Sequence, residues 1–307
     1  MQIGVGLVGV GKIAATQHVP AIESDPHFVL AATADPRGGD FVSLDEMLAG
    51  CGDIDAVILC TPPQGRQTLA RTALKAGKHV MLEKPPTATL EELEELASLA
   101  RKAGVTLFTA WHSRHAAAVP AARDWLRARD VAEIRVTWKE DVRVWHPGQE
   151  WIWRPGGLGV FDAGINALSI LTAILPEEFA FTAGELCFPE NREAPIAASL
   201  SYRTISAAPV TAEFDWSGSG SEIWDISVRT RDGEELRLFQ GGARLEIGGV
   251  PAPVEAQEEY PALYAEFARL IAAHQSGVDG RPLQHVTDAF AKARRLIAAP
   301  FYDNQDR

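Results

Sequence analysis

Cysteine is scarce in this 307-residue chain, and several other absences narrow its function before any motif is read. Cys51, Cys60 and Cys187 are odd in number and form no CxxC pair. That excludes a disulfide framework and a thiolate metal site, and reads as the reduced thiols of a cytoplasmic protein. No other side-chain cluster has metal-ligand spacing, so no metal is expected. Positive charge is also short. With 29 Lys and Arg against 41 Asp and Glu, the net charge is −12, and no local basic cluster offsets it. Such a surface repels nucleic acid and anionic membranes. No apolar run is long enough to span a bilayer, and no basic segment precedes an apolar one at the start, so secretion is not expected. There is no internal repeat and no low-complexity segment. What remains has the composition of an ordinary globular protein, long enough for two domains.

The most unusual stretch runs from Trp138 to Asn166, WKEDVRVWHPGQEWIWRPGGLGVFDAGIN. It sets four tryptophans among Glu140, Asp141, His146 and Glu150, then continues through a glycine-rich turn to Asp162 and Asn166. Aromatic faces cover C–H surfaces, while carboxylates, imidazole and amide each bind a hydroxyl in a fixed direction. This is the chemistry of a pocket for a hydroxyl-rich molecule. The competing reading is an amphipathic edge strand and loop whose tryptophans are core.

From the N-terminus, QIGVGLV (2–8) reads as a buried parallel strand that runs into Gly9-Val10-Gly11-Lys12-Ile13-Ala14, the GxGxxA dinucleotide fingerprint. Gly9 permits the tight turn, Gly11 lets the backbone approach a pyrophosphate, and Ala14 lets the helix pack close. A second strand, FVLAATA (28–34), ends in Asp35, whose carboxylate suits both ribose hydroxyls of NAD and repels a 2′-phosphate. Arg37 partly offsets that repulsion, which leaves room for weaker use of NADP. Further strands at 56–60, 79–82 and 106–111 alternate with helices, one of them opened by a Thr89/Glu92 capping box, so a doubly wound parallel sheet is expected. Gly9, Asp35, Thr61, Lys84 and His112 all fall at strand carboxyl ends, where such sheets bind ligands. His18 and His79 read as structural.

After Ala117 the pattern changes. Helices are expected at 119–129 and 162–175, followed by strands at 197–203, 210–216, 224–230, 234–239 and 244–247 that imply an open antiparallel sheet. Closing helices are expected at 262–275 and 283–298. An open sheet has a face free to pack on another copy, so a homo-oligomer is expected.

With these residues in view, the chain resembles the glucose–fructose oxidoreductase / inositol dehydrogenase family (Gfo/Idh/MocA). GVGKIA at 9–14, EKPP at 83–86 and DAGIN at 162–166 carry the resemblance. QHVPAI (17–22), CTPPQGR (60–66), WHSR (111–114), KEDVRVWHPGQEWIW (139–153) and EYPALYAEF (259–267) point to its branch that oxidises D-galactose or L-arabinose at C1. The resemblance implies a Rossmann domain over 1–117 and an α/β domain over 118–282 whose open sheet forms a dimer. It also implies a final helix, within 283–307, packing back on the first domain. Cofactor contacts would come from Gly9, Gly11, Lys12, Ile13, Asp35, Arg37, Thr61, Pro62, Glu83, Lys84 and His112. Sugar contacts would come from Glu140, His146, Trp145 and His112, with Trp153 and Trp224 as further walls. Asp141 and Glu150 would lie behind them or face solvent. Two departures stand out: Asn166 replaces the His common in the wider family, and Ala163 replaces its usual Pro.

Oxidation of an aldopyranose at C1 needs a hydride acceptor, a proton acceptor and rigidly held hydroxyls. Asp162 and Asn166, at i and i+4, share one helix face with Cβ atoms about 6 Å apart. Asp162 is read as the general base and Asn166 as the amide orienting the hydroxyl; the plainer alternative has Asp162 capping the helix. Lys84 either bridges ribose and sugar hydroxyls or is itself the base, and a cis Pro85 would aim it. L-Arabinose oxidation by the same chemistry, with NAD or NADP, is the nearest alternative to D-galactose oxidation. A non-catalytic dinucleotide and sugar sensor is a more distant one, disfavoured because Lys84, Asp162 and Asn166 are all present.

Overall fold

Short apolar runs closed by glycine or an acid build the first part of the chain as βα units. A computed structural model describes residues 2–218 and 220–302. In it β1 (Ile3–Val8) leads through a π-helical turn (Ala14–His18) into α1 (Val19–Ser24). There follow β2 (Phe28–Ala34), α2 (Leu44–Gly50), β3 (Ala56–Leu59), α3 (Arg66–Lys75), β4 (His79–Glu83), α4 (Leu90–Ala103) and β5 (Leu107–Ala110). The Thr89 hydroxyl accepts from Glu92 N at the start of α4, and the Glu92 carboxylate returns to Ala88 N, so the expected capping box is present, displaced by one residue. The five strands are parallel in the order β2-β1-β3-β4-β5. Strand order reverses beside β1, so the ends of β1 and β3 flank the crevice where doubly wound sheets bind nucleotides.

The second part contains α5 (Val119–Leu126), β6 (Val131–Lys139), α6 (Val142–Trp145), α7 (Phe161–Ile174), β7 (Phe179–Pro189), β8 (Ala197–Thr204), β9 (Pro209–Asp215), β10 (Ile223–Thr230), β11 (Glu235–Phe239), β12 (Arg244–Ile247) and β13 (Val250–Pro251). After them come α8 (Glu259–Ala272), α9 (Arg281–Lys292) and β14 (Arg294–Ala298). The nine strands run β13-β12-β11-β10-β6-β9-β8-β7-β14. The sheet is antiparallel except where β6 meets β9 and β7 meets β14. Helix α7 lies on this sheet with Gly164 against the Phe214 ring; a Cβ there would come within 2.8 Å of it.

The chain divides into two units, 1–115 with 257–280 and 116–256 with 281–307. One expectation about the closing segment is corrected. Residues 294–298 are not helical: RRLIA pairs with β7, because the edge of the sheet offers hydrogen bonds that outweigh helix propensity. Helix α8 packs on the parallel sheet within the first unit, and α9 packs on α7 and β7 within the second. The reason is the apolar face of α8. Tyr260, Leu263, Tyr264, Phe267 and Leu270 join Val5, Leu7, Ile58 and Met81 in one cluster. Phe267 stacks between Phe28 and Phe108, with ring centroids 6.0 and 5.8 Å away. Helices α2, α3 and α4 cover the other face of the parallel sheet through Met47, Ala70, Leu74, Leu93 and Leu96. Burial of one such large side chain contributes about 1.5–3 kcal/mol. Residues 303–307, within the expected last segment, lie outside the described ones.

Candidate active site

The turn after β1 is shaped by glycine for two different reasons. Gly9 has φ +88°, and a Cβ there would sit 3.0 Å from Thr61 N. At Gly11 a Cβ would meet nothing within 4 Å, so no protein neighbour demands glycine; the open space suits an approaching phosphate. Lys12 and Ile13 are exposed beside it, as is Pro62 beyond β3. Thr61 Oγ1 is buried without a hydrogen-bond partner in the protein, a donor suited to a bound nucleotide. Asp35 closes β2 and accepts from Val10 N (2.9 Å), Arg37 N (2.8 Å) and the Arg37 guanidinium (3.2 and 3.3 Å). The Arg37 hydrogen bond holds this carboxyl below its usual range, against the opposing effect of burial. These features fit a dinucleotide.

Glu83 ends β4. It is 3% exposed, and its carboxylate turns into the protein. Oε1 meets His18 Nε2 at 3.2 Å and accepts from Tyr260 Oη at 2.6 Å, while Oε2 accepts from Lys84 N at 2.6 Å. The Glu83 carboxylate is thus fully engaged within the protein. Burial alone would raise this carboxyl, but the hydrogen bond and charge of His18, with His112 and Tyr260, hold it at about 2. Burial would likewise lower His18; Cys60, Tyr264 and Glu83 outweigh it and raise the imidazole well above normal. The buried Arg66 guanidinium donates to the carbonyls of Thr61, Glu83, Pro85 and Pro86, and the Lys84–Pro85 peptide is cis as anticipated. His112 follows β5, with Nδ1 2.5 Å from Glu259 Oε2. His79 accepts from Thr106 N and is structural.

In the second unit the tryptophan-rich stretch divides between core and surface. Trp138 and Trp153 are buried, whereas Trp145 is 40% exposed and donates Nε1–H to Glu222 at 2.7 Å. Glu140, 8% exposed at the end of β6, accepts from Trp216 Nε1 (3.0 Å) and Trp224 Nε1 (2.9 Å). His146 lies between two carboxylates, 3.4 Å from Glu140 Oε1 and 3.5 Å from Asp162 Oδ2. Asp162 is 4% exposed in the first turn of α7, two residues past the Val160 N-cap, which itself makes no side-chain cap hydrogen bond. Asn166, one turn on, is half-exposed in an otherwise almost wholly buried helix. The glycine turn before α7 is tightly packed; a Cβ on Gly159 (φ +52°) would strike Pro195 O at 2.2 Å.

Glu140, His146, Asp162 and Trp224 are thus brought together, with Trp145 edge-on to Trp224 at 5.1 Å. Trp153 stands behind, against Trp216 and Phe301. Asp141 caps α6 and pairs with Arg143, and Glu150 pairs with Arg192, neither joining the cluster. Sequence reasoning missed Trp216, Arg66, Glu259 and Tyr260, each a buried or half-buried partner of a residue it did find. Trp216, at a strand end, was the one with a usable signal.

Residues 3–111 match the model of an oxidoreductase family with an NAD-binding Rossmann fold, GFO/IDH/MocA. The chain is 45% identical over 306 residues to a galactose 1-dehydrogenase from Pseudomonas fluorescens, covering 98% of this chain and 99% of that one. The chain belongs to the GFO/IDH/MocA oxidoreductase family. A crystal structure of D-galactose-1-dehydrogenase from Rhizobium etli superposes with TM-score 0.94 at 49% identity, covering 98% of both chains. A 3-ketoreductase from Actinomadura kijaniata, in complex with NADP, shares the fold alone at TM-score 0.83 and 19% identity. In this family member the parallel sheet is the NAD-binding fold and the second sheet is mostly antiparallel.

The Glu83–His18 pair makes a stability prediction. Glu83→Gln leaves a buried imidazole without its counter-charge and should cost roughly 3–5 kcal/mol near pH 5.5. Glu83 has a depressed folded value, so its contribution is present above 4.5 and is lost as pH falls toward about 2. His18 is raised, so its contribution is present below 6.5 and fades as pH rises through the higher folded value. The difference between wild type and variant in urea denaturation should therefore be largest between pH 4.5 and 6.5 and shrink on both sides. A gap independent of pH would contradict the ion pair.

Proposed function

We propose that the protein is an NAD-dependent aldose 1-dehydrogenase that oxidises D-galactose at C1 to D-galactono-lactone. The observation that carries this reading is the run Glu140–His146–Asp162, with Asn166 on the same face of α7 and indole rings beside it. The identity across the whole length of a galactose 1-dehydrogenase supports the choice of sugar.

NAD, when bound, supplies the acceptor for the hydrogen and electron pair leaving C1. The amides of the Gly9–Ile13 turn bind its pyrophosphate, Asp35 its adenosine ribose, and Thr61 and Pro62 line its path. Lys84 Nζ hydrogen-bonds ribose and sugar hydroxyls, and His112 offers a further polar contact. In the second unit Glu140 is anchored by two indole donors and keeps lone pairs for sugar hydroxyls. Trp145 and Trp224 cover the C–H faces of the sugar. Asn166 orients the C1 hydroxyl, and Asp162 takes its proton as C1 loses hydride; His146, 3.5 Å away, stabilises the carboxylate that precedes the transfer. A base held near an aliphatic hydroxyl is effective here because departure of hydride acidifies that hydroxyl.

We further propose that two copies associate through the outward face of the nine-stranded sheet. Along β6, β10 and β9 this face alternates Glu133, Arg135, Asp225, Arg229, Thr211 and Glu213 with buried residues, a polar mosaic that can pair with its own copy. The three free cysteines support a cytoplasmic setting. No described helix is long and apolar enough to cross a membrane.

Purified protein with NAD should form NADH absorbance on D-galactose with higher kcat/KM than on L-arabinose; a strong arabinose preference would reverse the assignment. Asp162→Ala should lower kcat about 10³-fold while leaving NAD affinity, followed by fluorescence, unchanged. Near-normal turnover would remove Asp162 as base. Asp35→Ser should raise the NADP to NAD ratio of kcat/KM by at least about tenfold, and a constant ratio would mean that Asp35 does not touch the ribose. Light scattering at micromolar concentration should give twice the chain mass; a monomer refutes the sheet interface.

A further inference from the structure

The first turn of α8 brings two adjacent side chains to the ends of two neighbouring strands. Tyr260 reaches Glu83 at the end of β4, and Glu259 reaches His112 just beyond β5, strands paired at Glu83 and Ala110. We propose that this turn is the positioning device of the nucleotide-binding edge: Tyr260, acting through Glu83, sets the main chain of Lys84, and Glu259 sets the ring of His112. The proposal rests on the reading that Lys84 works at the reacting centre.

The geometry is continuous. The Tyr260 hydroxyl donates to one oxygen of Glu83, and the other oxygen accepts from the amide of Lys84, each at 2.6 Å. One carboxylate therefore links the helix to the peptide that carries Lys84. The Tyr260 ring lies flat on His112 (centroids 5.3 Å, 17°) and meets His18 edge-on at 4.9 Å. His18 bonds Glu83 from the other side and is itself bonded to Tyr264, one turn further along α8. Packing alone does not call for this set. Phenylalanine at 260 would keep the stack on His112 and spare the burial of a hydroxyl, and an apolar residue at 83 would spare the burial of a charge. The polar atoms converge on the Lys84 amide.

The Glu259 contact fixes the orientation of the His112 ring. A carboxylate only accepts, so a 2.5 Å contact with Glu259 requires a proton on Nδ1, and Nε2 is the nitrogen left to face other partners. The charged groups around this ring are Glu259 from α8, Glu83 from β4, and Arg114 and His115 from its own turn, with Arg114 neutralised by Asp279 at 2.7 Å.

A double-mutant cycle tests the assignment. Tyr260→Phe should lower kcat on galactose about tenfold with little change in sugar KM, since it removes a charge-assisted hydrogen bond and no volume. In a Lys84→Ala background the same change should cause no further loss, because its effect passes through Lys84. Glu259→Gln acts through His112, so its loss should persist in that background. Wild-type kcat in Tyr260→Phe, or an equal loss with and without Lys84, overturns the Tyr260 path. Unchanged kcat in Glu259→Gln overturns the His112 path and remains measurable if Tyr260→Phe does not fold. Full activity of Lys84→Ala itself would sink the Lys84 reading and the Tyr260 path with it.

Discussion

A carboxylate withdrawn from water must be met by donors, and the donors that meet Glu83 hold the nucleotide-binding unit in register. They come from His18, 65 residues earlier, and Tyr260, 177 residues later, as well as from the adjacent Lys84 amide. Removing such an anion from solvent costs several kcal/mol, and the cost is tolerable only when both oxygens are satisfied. Here they are. Arg66 applies the same rule with the sign reversed, gathering the carbonyls of Thr61, Glu83, Pro85 and Pro86 on one buried cation. The main chain around Lys84 is thus bound from both sides.

The second unit meets the same constraint with a different donor. Indole N–H groups donate and never accept, so Trp216 and Trp224 anchor Glu140 without competing for a proton. Their rings add apolar wall in the same step. His146 then bridges Glu140 to Asp162, and Asn166 is left as the polar group facing outward from α7. Phenylalanines at 216 and 224 would give the wall and lose the anchor.

The parts legible in the sequence were those with local signals. Glycine at 9 and 11, the acid at 35 and the EKPP turn are set by backbone geometry within a few residues, and the structure places them where that geometry requires. The tryptophans were visible, but spacing alone did not separate Trp153 in the core from Trp145 at the surface, because single helical turns are too short to show a periodicity. The hidden parts depend on distant partners. Tyr260 looks like one more apolar position on α8 until Glu83 is beside it. RRLIA at 294–298 continues a helical pattern, and only the free edge of β7 makes it a strand. Glu83 is of the same kind: nothing local in EKPP shows that its carboxylate is buried between His18 and Tyr260.

With Asp35 as the proposed ribose partner, cofactor choice follows from an asymmetry of exposure around it. Its carboxylate is nearly buried and fixed by Val10 N, so it meets an incoming nucleotide with little screening. Arg37 pairs with it from a largely exposed position, where water and salt weaken its reach. A ribose diol can take over the Asp35 oxygens that Arg37 now occupies and release the guanidinium to solvent at little loss. A 2′-phosphate would meet the screened cation and the unscreened anion together, and the anion prevails. With Asp35 as the ribose partner proposed above, preference for NAD with tolerance of NADP is what that imbalance yields.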